Sequence, residues 1–160
     1  MLLASAICSC SEKQPETTEP MITKTEIQVE NGLLTPEIMH RLGKVGDVQV
    51  SPNHAKILYG VSYTSIEQNK GNRELYLMNV DGSENVKITN TPKSESNARW
   101  INDSQIIYMR SGKLYTATIE GSTLKNETEV AGAEGMESFE LSPAGNKLMF
   151  IKSVKAAQKP

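Results

Sequence analysis

The sequence predicts an all-β chain: an incomplete β-propeller of two full four-stranded blades and part of a third, preceded by a short helix and a disordered tether. The first observation behind this is a recurring pattern, in which an apolar or aromatic residue enters a polar turn and a three-residue apolar run follows. It reads Val50-Ser51-Pro52 to Ile57-Leu58-Tyr59, then Trp100-Ile101-Asn102-Asp103 to Ile106-Ile107-Tyr108, then Leu141-Ser142-Pro143 to Leu148-Met149-Phe150. The second is its spacing of 50 and 41 residues, which brackets the roughly 40–50 residues of a propeller repeat. The third is a switch to period two from Asp47 onward, with turn residues at regular intervals, as successive antiparallel strands require.

The boundaries that follow are a signal and lipobox remnant over 1–10, a tether over 11–32, and a partial propeller over 33–160. Within the propeller, blades fall at about 45–92, 96–132 and 135–160, the last incomplete. Met1 to Ile7 is short, apolar and rich in small residues, and runs into Cys8-Ser9-Cys10 before the composition turns polar. This resembles the tail of a bacterial lipoprotein signal peptide, with Ile7 three residues before Cys10 and Ser9 just before it. Cys10 is therefore the lipidation candidate; the alternative is that both cysteines belong to a cleaved, unanchored signal peptide or to a disordered tail. Three residues rarely allow a Cys8–Cys10 bridge, and the chain has no third cysteine to pair with either. From Ser11 to about Asn31, Glu, Thr, Lys and Pro predominate without an apolar period, which is the composition of a solvated tether.

Leu34 to Gly43 carries a short-helix signature. Thr35 can cap, Pro36 suits the first helical position, Glu37 complements the dipole and Gly43 can close the end in a left-handed conformation. Ile38, Met39 and Leu42 can then share a face packed on the following sheet. The first blade reads as strands over Asp47–Ser51, Lys56–Ser62, Arg73–Val80 and Val86–Thr89. Thr64–Asn72 is read as an insertion without apolar pattern, and Asp81-Gly82 as a tight turn. Leu75, Leu77 and Asn79 alternate with Tyr76, Met78 and Val80, which suits a strand covered on both faces. The second blade repeats the order over Ala98–Ile101, Gln105–Arg110, Lys113–Ile119 and Lys125–Val130, with Ser111-Gly112 and Glu120-Gly121 as turns. The third begins at Met136 and reaches only a second strand, Lys147–Ser153, with no partner strand in sight over Val154–Pro160. Two and a half blades leave one sheet face and one strand edge open, so this stretch by itself is expected to be weakly stable or prone to aggregate.

A net charge of −2 with scattered lysines and arginines offers no footprint for nucleic acid. Beyond residue 10 no apolar run approaches the roughly 20 residues of a membrane-spanning helix. With two cysteines and two histidines, neither a metal site nor a cofactor is expected.

Taken in order, Leu34-Thr35-Pro36-Glu37, Val48-Gln49-Val50-Ser51-Pro52, Asn69-Lys70-Gly71-Asn72-Arg73-Glu74-Leu75-Tyr76 and Glu95-Ser96-Asn97-Ala98-Arg99-Trp100 resemble a known family. They are similar to the N-terminal propeller of bacterial prolyl oligopeptidase family serine peptidases, nearest the dipeptidyl peptidase and acylaminoacyl peptidase branch in its exported, Bacteroides-type form. The resemblance covers about residues 33–155. It implies a propeller that lies as a lid over an α/β-hydrolase domain, admits oligopeptides and leaves a Ser-Asp-His triad to that other domain. By the same resemblance the protein is exported, as a periplasmic or outer-membrane lipoprotein if Cys10 is acylated. Its partners would be the C-terminal hydrolase domain, the peptide substrate and, through the lipid, the membrane.

No Gly-Xaa-Ser-Xaa-Gly elbow occurs in this chain: Ser83 lacks a glycine two residues on, and Ser111 lacks one two residues before. His40 and His54 have no credible nucleophile beside them in sequence, so no catalytic residue is assigned. Glu134, Glu137 and Glu140 invite comparison with paired glutamates that hold a substrate amino group, but read more simply as solvated loop and strand-face carboxylates. Trp100, Tyr59 and Tyr108 occupy repeat-equivalent or core-entry positions and read as packing residues. The alternative functional reading is a non-enzymatic TolB-like propeller that binds another envelope protein. A further one is a genuinely short product with no independent activity.

Overall fold

Thr35 caps the first regular element as the sequence suggests. Its backbone is extended, with φ −93° and ψ 162°, and its hydroxyl accepts from the Ile38 N–H, with Pro36 opening α1 (Pro36–Arg41). In the computed structural model, which describes residues 20–154, this short helix is followed by ten strands. The signal remnant over 1–10 with its lipidation candidate Cys10, the first part of the tether, and the segment 155–160 lie outside the described residues.

Two expectations for α1 are corrected. Gly43 does not close it in a left-handed conformation; Leu42, at φ −64° and ψ 133°, ends it by turning extended. Gly43 is needed for room instead, since a Cβ there would lie 2.9 Å from Tyr63 Cε1 and from Val61 Cγ1. Nor does an apolar face of α1 pack away: no residue of the helix is buried, and Met39 and Leu42 remain 55% and 45% exposed. A helix this short rests on its cap. Thr35→Ala is expected to cost about 1 kcal/mol of local stability, read as faster amide exchange at Ile38 with the strands' exchange unchanged.

The strands form two four-stranded antiparallel sheets in sequence order and one two-stranded ladder. The first sheet is β1 (Lys44–Val50), β2 (Lys56–Ser65), β3 (Lys70–Asn79) and β4 (Val86–Lys87). The second is β5 (Glu95–Trp100), β6 (Gln105–Arg110), β7 (Lys113–Glu120) and β8 (Thr123–Glu129). The ladder is β9 (Met136–Leu141) with β10 (Leu148–Lys152). Each sheet is a meander, the arrangement of a propeller blade, so the all-β reading and its strand order hold.

The repeat in the sequence becomes a register repeat. Val50 pairs with Ile57, Trp100 with Ile106 and Leu141 with Leu148. The turns repeat as well: Ser51 N–H donates to the Lys56 carbonyl at 2.8 Å, Ile101 N–H to that of Gln105 at 2.8 Å, and Ser142 N–H to that of Lys147 at 2.9 Å. In the first and third turns the serine hydroxyl also accepts from the N–H of the returning strand.

Thr64–Asn72, read as an insertion, is instead the far end of the β2–β3 hairpin. Pairing runs unbroken from Lys56↔Asn79 to Ser65↔Lys70. Its polar residues lie at a projecting hairpin end, where pairing survives without apolar burial and the period-two signal vanishes. The fourth strand of the first sheet is shorter than expected, only Val86–Lys87, because Thr89 turns its hydroxyl to the Leu75 N–H at 2.8 Å and leaves the ladder. Gly82, at φ 86°, makes the Asp81-Gly82 turn.

The sheets stack through two apolar clusters. Between the first and second sheets lie Leu58, Leu75 and Leu77 from one side and Ala98, Trp100, Ile106, Tyr108, Ala117 and Ile119 from the other. Between the second sheet and the β9–β10 ladder lie Ile107, Met109 and Leu114 against Ala133, Met136 and Phe139. The second sheet is therefore covered on both faces. The first is not: Leu75 and Leu77 are fully buried, whereas Val48, Val50 and Val80 on or beside its outward face stay at least half exposed. The expectation of a β3 covered on both faces holds for one face only, and Tyr59 is half-buried where its repeat equivalent Tyr108 is fully buried. The difference is one of neighbour, as both tyrosines stack on a partner in the next strand, Tyr59 on Tyr76 at 5.5 Å and Tyr108 on Tyr115 at 6.0 Å.

Candidate functional site

The polar side chains with the most elaborate surroundings lie where sheet meets sheet. β1 and β5 each carry a bulge at the same repeat position, with Asp47 at φ 52° and Asn97 at φ 52°. A bulge leaves a residue without its ladder partner, and here the freed groups join adjacent sheets. Asp47 Oδ2 accepts from the Asn97 N–H at 3.2 Å, and the Asn97 side-chain amide donates to the Phe139 carbonyl at 2.7 Å. The first strands of the two sheets and of the ladder are thus linked in series. Trp100 adds a parallel link by donating its indole N–H to the Gln49 carbonyl at 3.4 Å. Its place in the apolar seam bears out the packing reading of this residue.

Arg73 holds Asp47 in place. Its guanidinium donates to Asp47 Oδ2 at 2.9 Å and to Ser62 Oγ at 3.1 Å, lying across a floor made by Gly46 and Gly60. A Cβ at Gly60 would meet Arg73 Nη2 at 2.5 Å, so glycine there makes room for the arginine.

A second cluster joins β3, the β4–β5 connection, β5 and β6. Glu74 and Glu95 are 2% and 0% exposed. Glu74 accepts from Thr89 Oγ1 at 2.7 Å, Asn72 Nδ2 at 3.2 Å and the Thr91 N–H at 3.1 Å. Thr91 Oγ1 lies 2.7 Å from Glu95 Oε1, so one threonine serves both carboxyl groups. Glu95 Oε2 is buried without a hydrogen-bond partner, as is Asn72 Oδ1. The nearest cation, Arg110, is 3.7 Å from Glu95 but is forked onto Glu127 at 2.5 and 3.1 Å and stacked 4.2 Å over the Tyr115 ring. Burial, with Glu74 adding to it, pushes the Glu95 carboxyl up to about 7. At Glu127 burial acts in the same upward sense, but the Arg110 guanidinium and the Tyr108 hydroxyl outweigh it and hold the carboxyl below its ordinary value. The Tyr108 hydroxyl, buried and bonded to Glu127, is raised.

The residues considered for catalysis are not brought together. His40 sits exposed on α1 and His54 exposed in the β1–β2 turn at φ 58°, and neither side chain is hydrogen-bonded to a serine among the described residues. Glu134 lies in a turn near Gly132, Glu137 bonds Ser153, and Glu140 pairs with Arg99 at 3.3 Å; all three are exposed. They are separate surface carboxylates. A cleft of about 300 Å³ opens between residues 20–25 and the β2–β3 hairpin end, with Arg41 and Glu67 on its walls and Gln68 donating to the Pro20 carbonyl at 3.1 Å. Its one hydroxyl–carboxylate contact among the described residues is local to the exposed hairpin end, where Ser65 Oγ donates to Glu67 Oε2 at 2.9 Å two residues on. Among the described residues no three histidine, cysteine, aspartate or glutamate side chains are grouped to hold a metal ion, and no helix is long and apolar enough to cross a membrane.

Sequence reasoning missed the Glu74–Glu95 cluster. Its members gave no local signal: Glu74 alternates with the seam residues Leu75 and Leu77 along β3, as a solvent-side residue would, and Glu95 only opens β5.

No protein-family model matches the chain. In sequence it is similar to the dipeptidyl-peptidase 5 of Porphyromonas endodontalis, 27% identical over 136 residues, which is 82% of this chain and 19% of that protein. It is also similar to the dipeptidyl-peptidase 5 of Porphyromonas gingivalis, 29% identical over 125 residues, 76% of this chain and 18% of that protein. The chain spans about a fifth of the length of the curated relatives it matches. The similarity is distant but extends over most of the chain, and it makes the chain peptidase-related in sequence.

Proposed function

We propose that this chain is the N-terminal propeller segment of an exported serine peptidase that removes dipeptides or acylated residues from oligopeptides, and that it gates substrate and packs while another domain performs the chemistry. The observation that carries this reading is the similarity to two dipeptidyl peptidases over at least three-quarters of the chain, together with a fold of stacked four-stranded meanders. A propeller extends by repeating such sheets. The exposed outward face of the first sheet supports further sheets beyond those described, because Val48, Val50 and Tyr59 hold there the positions that Ala98, Trp100 and Tyr108 hold in the seam. Cys10, preceded by Ile7 and Ser9, supports export and attachment of a lipid, with the segment after it as tether.

The test is to label the polypeptide, as its source cell makes it, with a fluorophosphonate that acylates activated serines, and to assay dipeptidyl and acylaminoacyl chromogenic substrates in parallel. The proposal expects hydrolysis and a labelled serine outside residues 1–160. A polypeptide that neither hydrolyses these substrates nor takes the label overturns it, and leaves the envelope binding protein as the reading to pursue.

A further inference from the structure

We propose that the seam between the first and second sheets is a proton-dependent latch, closed while the Glu95 carboxyl is neutral and loosened when it ionises. The geometry leads there. Two glutamates from different sheets, Glu74 on β3 and Glu95 on β5, are almost wholly excluded from water and anchored to the same residue, Thr91. Glu74 is well supplied with donors, from Asn72, Thr89 and Thr91. Glu95 is not, for one of its oxygens has no partner. An ionised carboxylate with an unmet oxygen in a dry seam is costly, and a second carboxylate close by adds to that cost.

The other charged and titratable groups facing Glu95 do not relieve it. From β6, Arg110 comes only to 3.7 Å and spends its donors on Glu127 of β8. Tyr108 of β6 is bonded to the same Glu127, and Tyr115 of β7 lies under the Arg110 guanidinium. The β4–β5 connection brings the hydroxyls of Thr89 and Thr91, while its cation Lys93 stays exposed. A proton on Glu95 is the simplest complement, and burial pushes this carboxyl up to about 7.

The direction of the pH dependence follows. A carboxyl raised on folding contributes full stability below its unfolded value, about 4.3, and loses that contribution as pH rises through about 7. The seam should therefore loosen on the alkaline side. Trp100, the only tryptophan, lies in this seam and reports on it directly.

The experiment follows Trp100 emission and the denaturant midpoint of the full 160-residue chain from pH 5 to pH 9, in the wild type, Glu95→Gln and Glu74→Gln. The wild type is expected to show about a tenfold rise in the opening constant between pH 6 and pH 8. Glu95→Gln should remove that rise, and Glu74→Gln should keep it but move its midpoint to lower pH, since the neighbouring negative charge is gone. A wild-type profile flat over this range, or one that Glu95→Gln leaves unchanged, overturns the proposal. Should Glu95→Gln fail to fold, the ¹³C shift of the labelled Glu95 carboxyl decides in the wild type. A midpoint near neutrality supports the latch, and one in the ordinary glutamate range overturns it.

Discussion

Trp100→Ala is expected to lower the unfolding free energy by about 3–5 kcal/mol, the range for removing a buried tryptophan. The indole sits at 8% exposure between the sheets, in the cluster that joins Leu58, Leu75 and Leu77 to the second sheet, and its N–H reaches the Gln49 carbonyl. Its loss opens a cavity at the seam and severs a link between strands β1 and β5. Since domains are commonly stable by only about 5–15 kcal/mol, the variant should unfold over a lower and broader range of urea. Equilibrium urea titration by circular dichroism reads this. A loss below about 1 kcal/mol would mean that the sheets do not depend on that seam.

Gly60→Ala should cost about 2 kcal/mol, for a reason outside the glycine's own backbone. An added methyl meets the Arg73 guanidinium, whose position is fixed by Asp47 and Ser62. Arg73 must swing away, which strips a partly buried aspartate of its cation and frees the bulge that bonds Asn97. Asp47 is a third exposed, so water recovers part of the loss, and the figure is set below the roughly 3–5 kcal/mol of a fully buried pair. The mechanism predicts strong non-additivity: in an Arg73→Ala background, Gly60→Ala should cost under about 0.5 kcal/mol. Thermal or urea unfolding of the four proteins of the cycle measures it. Additive losses would place the cost in the strand backbone instead.

These two sites also mark how far the sequence could be read. The strand order and the turns at Ser51, Ile101 and Ser142 were legible, because they depend on period two and on residues within a few positions of one another. Trp100 was legible as packing because it shares a repeat position with Val50 and Leu141. The hairpin end at Ser65–Lys70 was not, since its pairing needs no apolar alternation. Gly43 misled, because a glycine after a helix can serve either a left-handed turn or a close contact, and only Tyr63 and Val61 decide which. The Glu74–Glu95 cluster was the hardest to see. Its members come from β3, the β4–β5 connection, β5 and β6, and meet only when one sheet is laid on the next. Nothing local in the sequence distinguishes a glutamate that ends in a dry seam from one that ends in water.

The sheets stack by repeat: what Trp100 does for the second sheet, Val50 is placed to do for the first. The direct measurement is the rate of thiol modification of Val50→Cys, with Cys8 and Cys10 replaced by serine, in the 160-residue chain and in the polypeptide its source cell makes. Val50 is half exposed here, so the chain alone should react at the rate of an accessible thiol. In the cellular polypeptide the rate is expected to be at least tenfold slower, as a further sheet stacked on that face would cover the thiol. Equal, fast modification in both would contradict it, and with it the reading of this chain as part of a larger propeller.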